Sequence, residues 1–291
     1  MLAQRSHPAR ALTIAVAVCG LGLVVSGCSM LSASDVSPKA VEAAPPEQLY
    51  GEADRLLSQQ EYTAAAKKFE DVDREHPYSP QARRALAMAA FSHFKAASYE
   101  EAISAARRYT TLHPGTKEAA LALHITAMSY YNRLSAPGND QSNAKLALTN
   151  FSKLRRQHPE SKYAKEAVNR MRIVRDTLAA NEMQVGRYYQ RTKNYTGAIN
   201  RFRTVVTTYQ KTQHVEEALY RLTESYLLLG VASEAQTAAA VLGHNFPTSP
   251  WYKRAYTLLG NDGLTPAENR GSWISNAWSG AVRSVSSLNP F

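Results

Sequence analysis

The chain has 291 residues, with 34 lysines and arginines against 24 acidic residues and a net charge of +10. It has only two cysteines, at positions 19 and 28. That number excludes a disulfide-built scaffold. The chain is long enough to bury a large core without covalent staples.

The first 27 residues read as a bacterial export signal. Arg5 and Arg10 give a positive start, and Ala11 to Val25 is a 15-residue apolar run. The run is short of the roughly 20 residues that a spanning helix needs. It ends in Val25-Ser26-Gly27-Cys28, which looks like a lipobox. Small residues flank the bond that a peptidase would cut, and the Cys28 thiol is the atom to be lipidated. Cys19 would leave with the signal and Cys28 would be consumed, so the mature chain would have no disulfide. Ser29 is not the aspartate that usually retains such lipoproteins at the inner membrane, which favours the outer membrane. Residues 28–46 are rich in Ser, Ala and Pro and read as a flexible tether.

From 47 to 260 the chain is Ala-rich and helix-favouring, and no stretch alternates like a strand. One pattern recurs five times. Tyr62, Ala65, Phe69 and Pro77 stand at offsets 0, 3, 7 and 15. The same offsets hold Tyr99, Ala102, Ala106 and Pro114, then Ala144, Ala147, Phe151 and Pro159. Tyr195, Ala198, Phe202 and Gln210 follow without the proline, and Ala232, Ala235, Ala239 and Pro247 close the series. Offsets 0, 3 and 7 share one helix face, a small residue at offset 3 admits a neighbouring helix, and proline ends the run. Small residues also lie nine positions before the offset-zero residue, at Ala53, Ala90, Gly186 and Thr223.

This is the pattern of tetratricopeptide repeats. The expected fold is all-α, a superhelix of about five helix pairs plus a capping helix carrying Trp251, Tyr256 and Leu258. Pro137-Gly138-Asn139-Asp140 marks an insertion in the third unit, and a long helix-prone stretch, Lys162 to Asn194, enters the fourth. Residues 261–291 read as a tail that is disordered or amphipathic. In it Trp273, Ile274, Ala277, Trp278, Ala281, Val282 and Val285 could share one helix face toward a membrane or partner.

No catalytic constellation is present: no metal-binding His-Glu-x-x-His, no phosphate-cradling glycine loop and no nucleophile elbow. His76, His113 and His158 each precede a repeat-ending proline, which indicates packing at repeat boundaries. His93 and His124 lie on different helices without ligand spacing. The chain is therefore expected to be no enzyme and to need no metal or cofactor. A cell-wall enzyme would need paired carboxylates in a separate catalytic domain, and none is supplied.

Thirteen basic residues lie between Lys153 and Arg203, opposed by only Glu160, Glu166, Asp176 and Glu182. An exported lipoprotein rarely meets nucleic acid. The basic segment is thus either a solvated surface or a face for an acidic protein domain or anionic lipid.

The lipobox, the short tether and five irregular repeats together resemble the BamD family, the lipoprotein component of the outer-membrane β-barrel assembly machinery. Two segments carry the resemblance best: Ala144 to Ala167, similar to the family's third-repeat segment, and Val185 to Arg201, similar to the entry to the fourth with its paired tyrosines and Asn-Arg. The resemblance implies binding to the periplasmic region of BamA through the C-terminal repeats, alongside other assembly lipoproteins. It also implies that the N-terminal repeats receive the C-terminal signal of unfolded barrel proteins. By position, Arg201 matches the family arginine at the BamA contact, and Asn200, Tyr188 and Tyr189 are further partner-binding candidates, one of the two tyrosines being expected to pack while the other faces a partner. Arg108 matches a basic position near substrate. His76 falls at the same substrate region, where the family often has tyrosine. The alternative is a repeat scaffold for another envelope process, such as pilus assembly or cell division.

Overall fold

The computed structural model describes residues 44–286, with side chains described through Ser279. The export signal, Cys28 and most of the tether lie outside the described residues. All regular structure among the described residues is helical. Five antiparallel pairs carry the repeat. They are α1 (Pro46–Ser58) with α2 (Tyr62–Glu75), α3 (Pro80–Lys95) with α4 (Tyr99–Leu112), and α5 (Lys117–Tyr131) with α6 (Ser142–Gln157). Next come α7 (Lys162–Arg191) with α8 (Tyr195–Thr208), and α9 (Val215–Leu228) with α10 (Ala232–Asn245). Two further helices follow, α11 (Pro250–Asn261) and α12 (Trp273–Ser286).

The repeat offsets explain the pairing. Ala65, Ala102, Ala147, Ala198 and Ala235 are all fully buried, as are Phe69, Phe151 and Phe202. Each small side chain lets the first helix of its pair approach. The approach is tight at Gly186 of α7, where an added Cβ would stand 2.5 Å from the Phe202 ring.

Each end of a pair is set by local chemistry. The residues before Pro77, Pro114, Pro159 and Pro247 are His76, His113, His158 and Phe246. All four cap a second helix with φ near −135° and ψ near 58°. A following proline bars the α region there, so the helix must stop. Inside the pairs, Gln60, Ala97, Lys193 and Gly230 take φ of 64°, 59°, 60° and 75°. The next residue's N–H then reaches back to close the first helix, as from Ser98 to the His93 carbonyl at 2.9 Å.

First helices touch one another, α1 on α3, α3 on α5, α5 on α7 and α9 on α11, whereas the second helices stand farther apart. First helices thus form the inner row of the stack and second helices the outer row. The long stretch foreseen before the fourth unit is a single 30-residue helix, α7. Its N-terminal half joins the core of α5 and α6 through Ala167, Met171 and Val174. Its C-terminal half joins the core of α8 through Ala179 and Met183.

The C-terminal end departs from expectation. On α11 the buried residues are Ala255 and Leu259, while Tyr256 is 53% exposed. Tyr256 lies about 100° around the helix from Ala255, so the two cannot face the same neighbour. Past α11 the chain turns back and α12 packs on the outer helices α8 and α10. Ile274 is fully buried. Trp273 donates its indole N–H to the Tyr226 hydroxyl at 2.9 Å, and the Arg203 guanidinium lies 4.7 Å from its ring. Trp278 meets Phe246 edge-on. This end of the apolar face covers the protein's own surface rather than a membrane.

Candidate functional site

Arg108 lies on α4 and reaches Asp73 of α2 at 2.5 Å. Their ion pair spans a cleft between two outer helices. The cleft consists of two adjoining cavities of about 590 and 460 Å³ that share Asp73, Leu86 and Arg108. Leu86 of α3 forms the floor. Pro77, Tyr78, Leu112 and His113 wall one end, and Glu70, Glu101 and Ser104 the other. Tyr78 is fully exposed and Leu112 is 56% exposed. The site is apolar at its base, rimmed by both signs of charge, and has an arginine whose carboxylate partner a stronger one could displace. It lies in the outer row of the stack.

His76 is not part of that cleft. Its ring Nε2 lies 2.7 Å from the Ala44 carbonyl, so it pins the chain entering α1 against the end of α2. The hydrogen bond supplies His76 with a local structural role. Asp73 is the cleft residue that the sequence reading missed. It sits 35 residues before Arg108, close to one repeat length, which places it on the neighbouring outer helix.

The second group of predicted residues lies on α7 and α8. Arg201 is exposed and pairs with Glu182 of α7 at 3.3 Å. Asn200 beside it is exposed. The paired tyrosines divide as helical geometry requires: Tyr189 packs against the C-terminal core, and Tyr188 is 55% exposed. Their ring centroids are 6.0 Å apart. Glu182 and Tyr189 are seven residues apart and lie on one stripe of α7, so Arg201 is held over the same side as Tyr189. Tyr188 points about 100° away.

Toward the inner row, Arg187 of α7 donates to both oxygens of Glu217 on α9 at 3.2 and 3.1 Å. Arg221 links Glu217 to Glu224, and Gln190 donates to Glu224 at 2.9 Å. This lattice fixes α7 against α9, behind the face that carries Arg201. Of the basic segment, Arg187, Arg201 and Arg203 have protein partners, as do Arg170 on Tyr131 and Lys162 on Tyr163, whereas Arg155, Arg156, Lys165 and Arg172 are exposed. Among the described residues no three His, Cys, Asp or Glu converge as metal ligands, and no helix is long and apolar enough to cross a membrane.

Residues 42–242 match the YfiO family, described as an outer membrane lipoprotein. The chain belongs to the YfiO outer membrane lipoprotein family. It is 40% identical to the outer membrane protein assembly factor BamD of Rickettsia prowazekii, over 83% of this chain and 94% of the relative. It is 37% identical to BamD of Caulobacter vibrioides, over 78% of this chain and 74% of the relative. It is 32% identical to BamD of Neisseria meningitidis serogroup A, over 81% and 92%. The YfiO match spans all five helix pairs to within three residues of the end of α10, and so includes both Arg108 and Arg201.

Proposed function

We propose that this chain is a lipid-anchored, non-catalytic scaffold of outer-membrane β-barrel assembly. Cys28 would hold it at the periplasmic face of the outer membrane. The α7–α8 surface around Arg201 and Asn200 docks the periplasmic region of a BamA-type partner, with Tyr189 supporting it from beneath and the exposed Tyr188 extending it about 100° around α7. The α2–α4 cleft receives C-terminal segments of unfolded barrel proteins, with Arg108 exchanging Asp73 for their terminal carboxylate. Other assembly lipoproteins complete the complex, and no nucleic acid or cofactor takes part. The observation that carries this reading is the likeness to BamD assembly factors along nearly their whole length.

The test separates the two surfaces. Arg201→Glu sets a second carboxylate beside Glu182, so recovery of the BamA-type protein from native membranes should fall about tenfold or more. Arg108→Glu should leave that recovery intact and abolish binding of synthetic barrel C-terminal peptides. Normal recovery with Arg201→Glu, or undiminished peptide binding with Arg108→Glu, contradicts the corresponding half.

A further inference from the structure

The α2–α4 cleft has an internal counterpart. The cleft between outer helices α8 and α10 has the same place in the repeat, and this chain fills it with α12. Counting from the offset-zero residues, Glu101, Ser104 and His113 of α4 correspond to Glu234, Thr237 and Phe246 of α10. Each of the latter three holds the returning chain. The Ser272 hydroxyl donates to Glu234 at 2.6 Å. The Asn269 N–H donates to Thr237 at 3.1 Å. Phe246 meets the Trp278 ring. The same three register positions line the cleft at Arg108. From Glu101 to the cap residue His113 is twelve helical steps, roughly 18 Å, which is the length of about three helical turns.

The charges have a matching direction. Glu70 and Glu101 lie at the end where α4 begins, beside an Arg74 already paired with Asp71 and Glu75, and Arg108, Arg83 and His113 lie toward the end where it stops. A helix running parallel to α4 would set its positive N-terminal end against the acids and its negative C-terminal end against the arginines. In the filled cleft, α12 likewise starts at an acid, Glu234.

We propose that the α2–α4 cleft takes its ligand as an amphipathic helix of about three turns. A hydroxyl or other donor in its first turn faces Glu101, apolar side chains face Leu86, Ala105 and Leu112, and its terminal carboxylate faces Arg108. This rests on the client role given above to the cleft and specifies the form in which the client is held.

The probe is a fluorescein-labelled peptide spanning residues 269–286 with a free C-terminal carboxylate, titrated onto the full-length mature chain by anisotropy. Saturable binding is expected, weakened about tenfold or more by Ala105→Arg, which closes the cleft floor. Ser104→Arg, at the exposed lip, gives the same result if Ala105→Arg lowers the thermal midpoint. Replacing Ala277 of the peptide by proline, which breaks its helix, should weaken it comparably. Binding that survives both cleft variants shows exchange with α12 at its own cleft and overturns the proposal. Equal binding of the proline peptide overturns it too. If extended barrel C-terminal peptides bind in an Arg108-dependent way and the helical probe does not, the helix inference fails and the client role stands. If neither binds, both fail.

Discussion

Ala97 and Gly186 are both small, and the structure asks opposite things of them. Ala97 sits at φ 59°, where an L residue costs about 1–2 kcal/mol. Glycine removes that cost but loses about 0.4–1 kcal/mol more entropy on folding. Ala97→Gly should therefore stabilise by about 0.5 kcal/mol. Gly186→Ala drives a methyl to 2.5 Å from the Phe202 ring between two packed helices, and should destabilise by about 1–3 kcal/mol. Urea midpoints of the two variants should move in opposite directions. A third residue makes stability depend on pH. His124 stacks on Tyr163 at 4.7 Å between centroids. Burial pushes its pKa below the usual 6.5, helped by Arg170 and Lys162 and opposed by Glu166. The unfolded chain accepts this proton first, so the contribution is complete above the ordinary histidine pKa. It is lost as pH falls from there through the lower folded value. Thermal midpoints should drop as pH falls below the ordinary histidine pKa of about 6.5, and His124→Phe, which keeps the stack, should flatten that drop.

Among the elements, those governed by short-range chemistry were legible. Ala65, Ala102, Ala198 and Ala235 declare the helix pairs because close approach needs a small side chain at a fixed offset. The prolines after His76, His113 and His158 declare the helix ends because they act on one residue. The position of α12 was not legible. Trp273 and Ile274 reveal an apolar face, but the Tyr226 hydroxyl and Arg203 that receive it are 47 and 70 residues away in sequence. The cap itself was legible, with α11 on α9 and α10 and Trp251 against the Tyr220 ring, but Tyr256 was misassigned: it is large and aromatic, yet the α11 register turns Ala255 and Leu259 inward. At the site, Arg108 and Arg201 stood out in the sequence as candidates, but their carboxylate partners Asp73 and Glu182 did not, because each lies on another helix. Docking of α12 can be tested directly. Trp273→Ala removes a half-buried ring, its hydrogen bond and its cation–π contact, a loss of about 2 kcal/mol at this exposure. Limited proteolysis in the loop between Asp262 and Gly271 should accelerate in that variant, with little change inside α1–α6.

On the scale of the whole molecule, the local excess of nine positive charges between Lys153 and Arg203 falls on α6, α7 and α8, the last two of which carry the face proposed for the partner. Arg155, Arg156, Lys165 and Arg172 point to solvent, so their field acts over about one Debye length, ~10 Å at 0.1 M salt. Association with the BamA-type partner should therefore slow as ionic strength rises, with a smaller effect on dissociation. Stopped-flow measurements across a salt series give both rates. The 30-residue α7 has a consequence for how the fold comes apart. Stacked repeats ordinarily behave like a zipper, in which one end can melt while the other persists. Here the third and fourth pairs share one uninterrupted helix of roughly 45 Å, with no seam at which a melting front can stop. The two halves should lose structure in a single transition, with the middle of the chain as its strongest link.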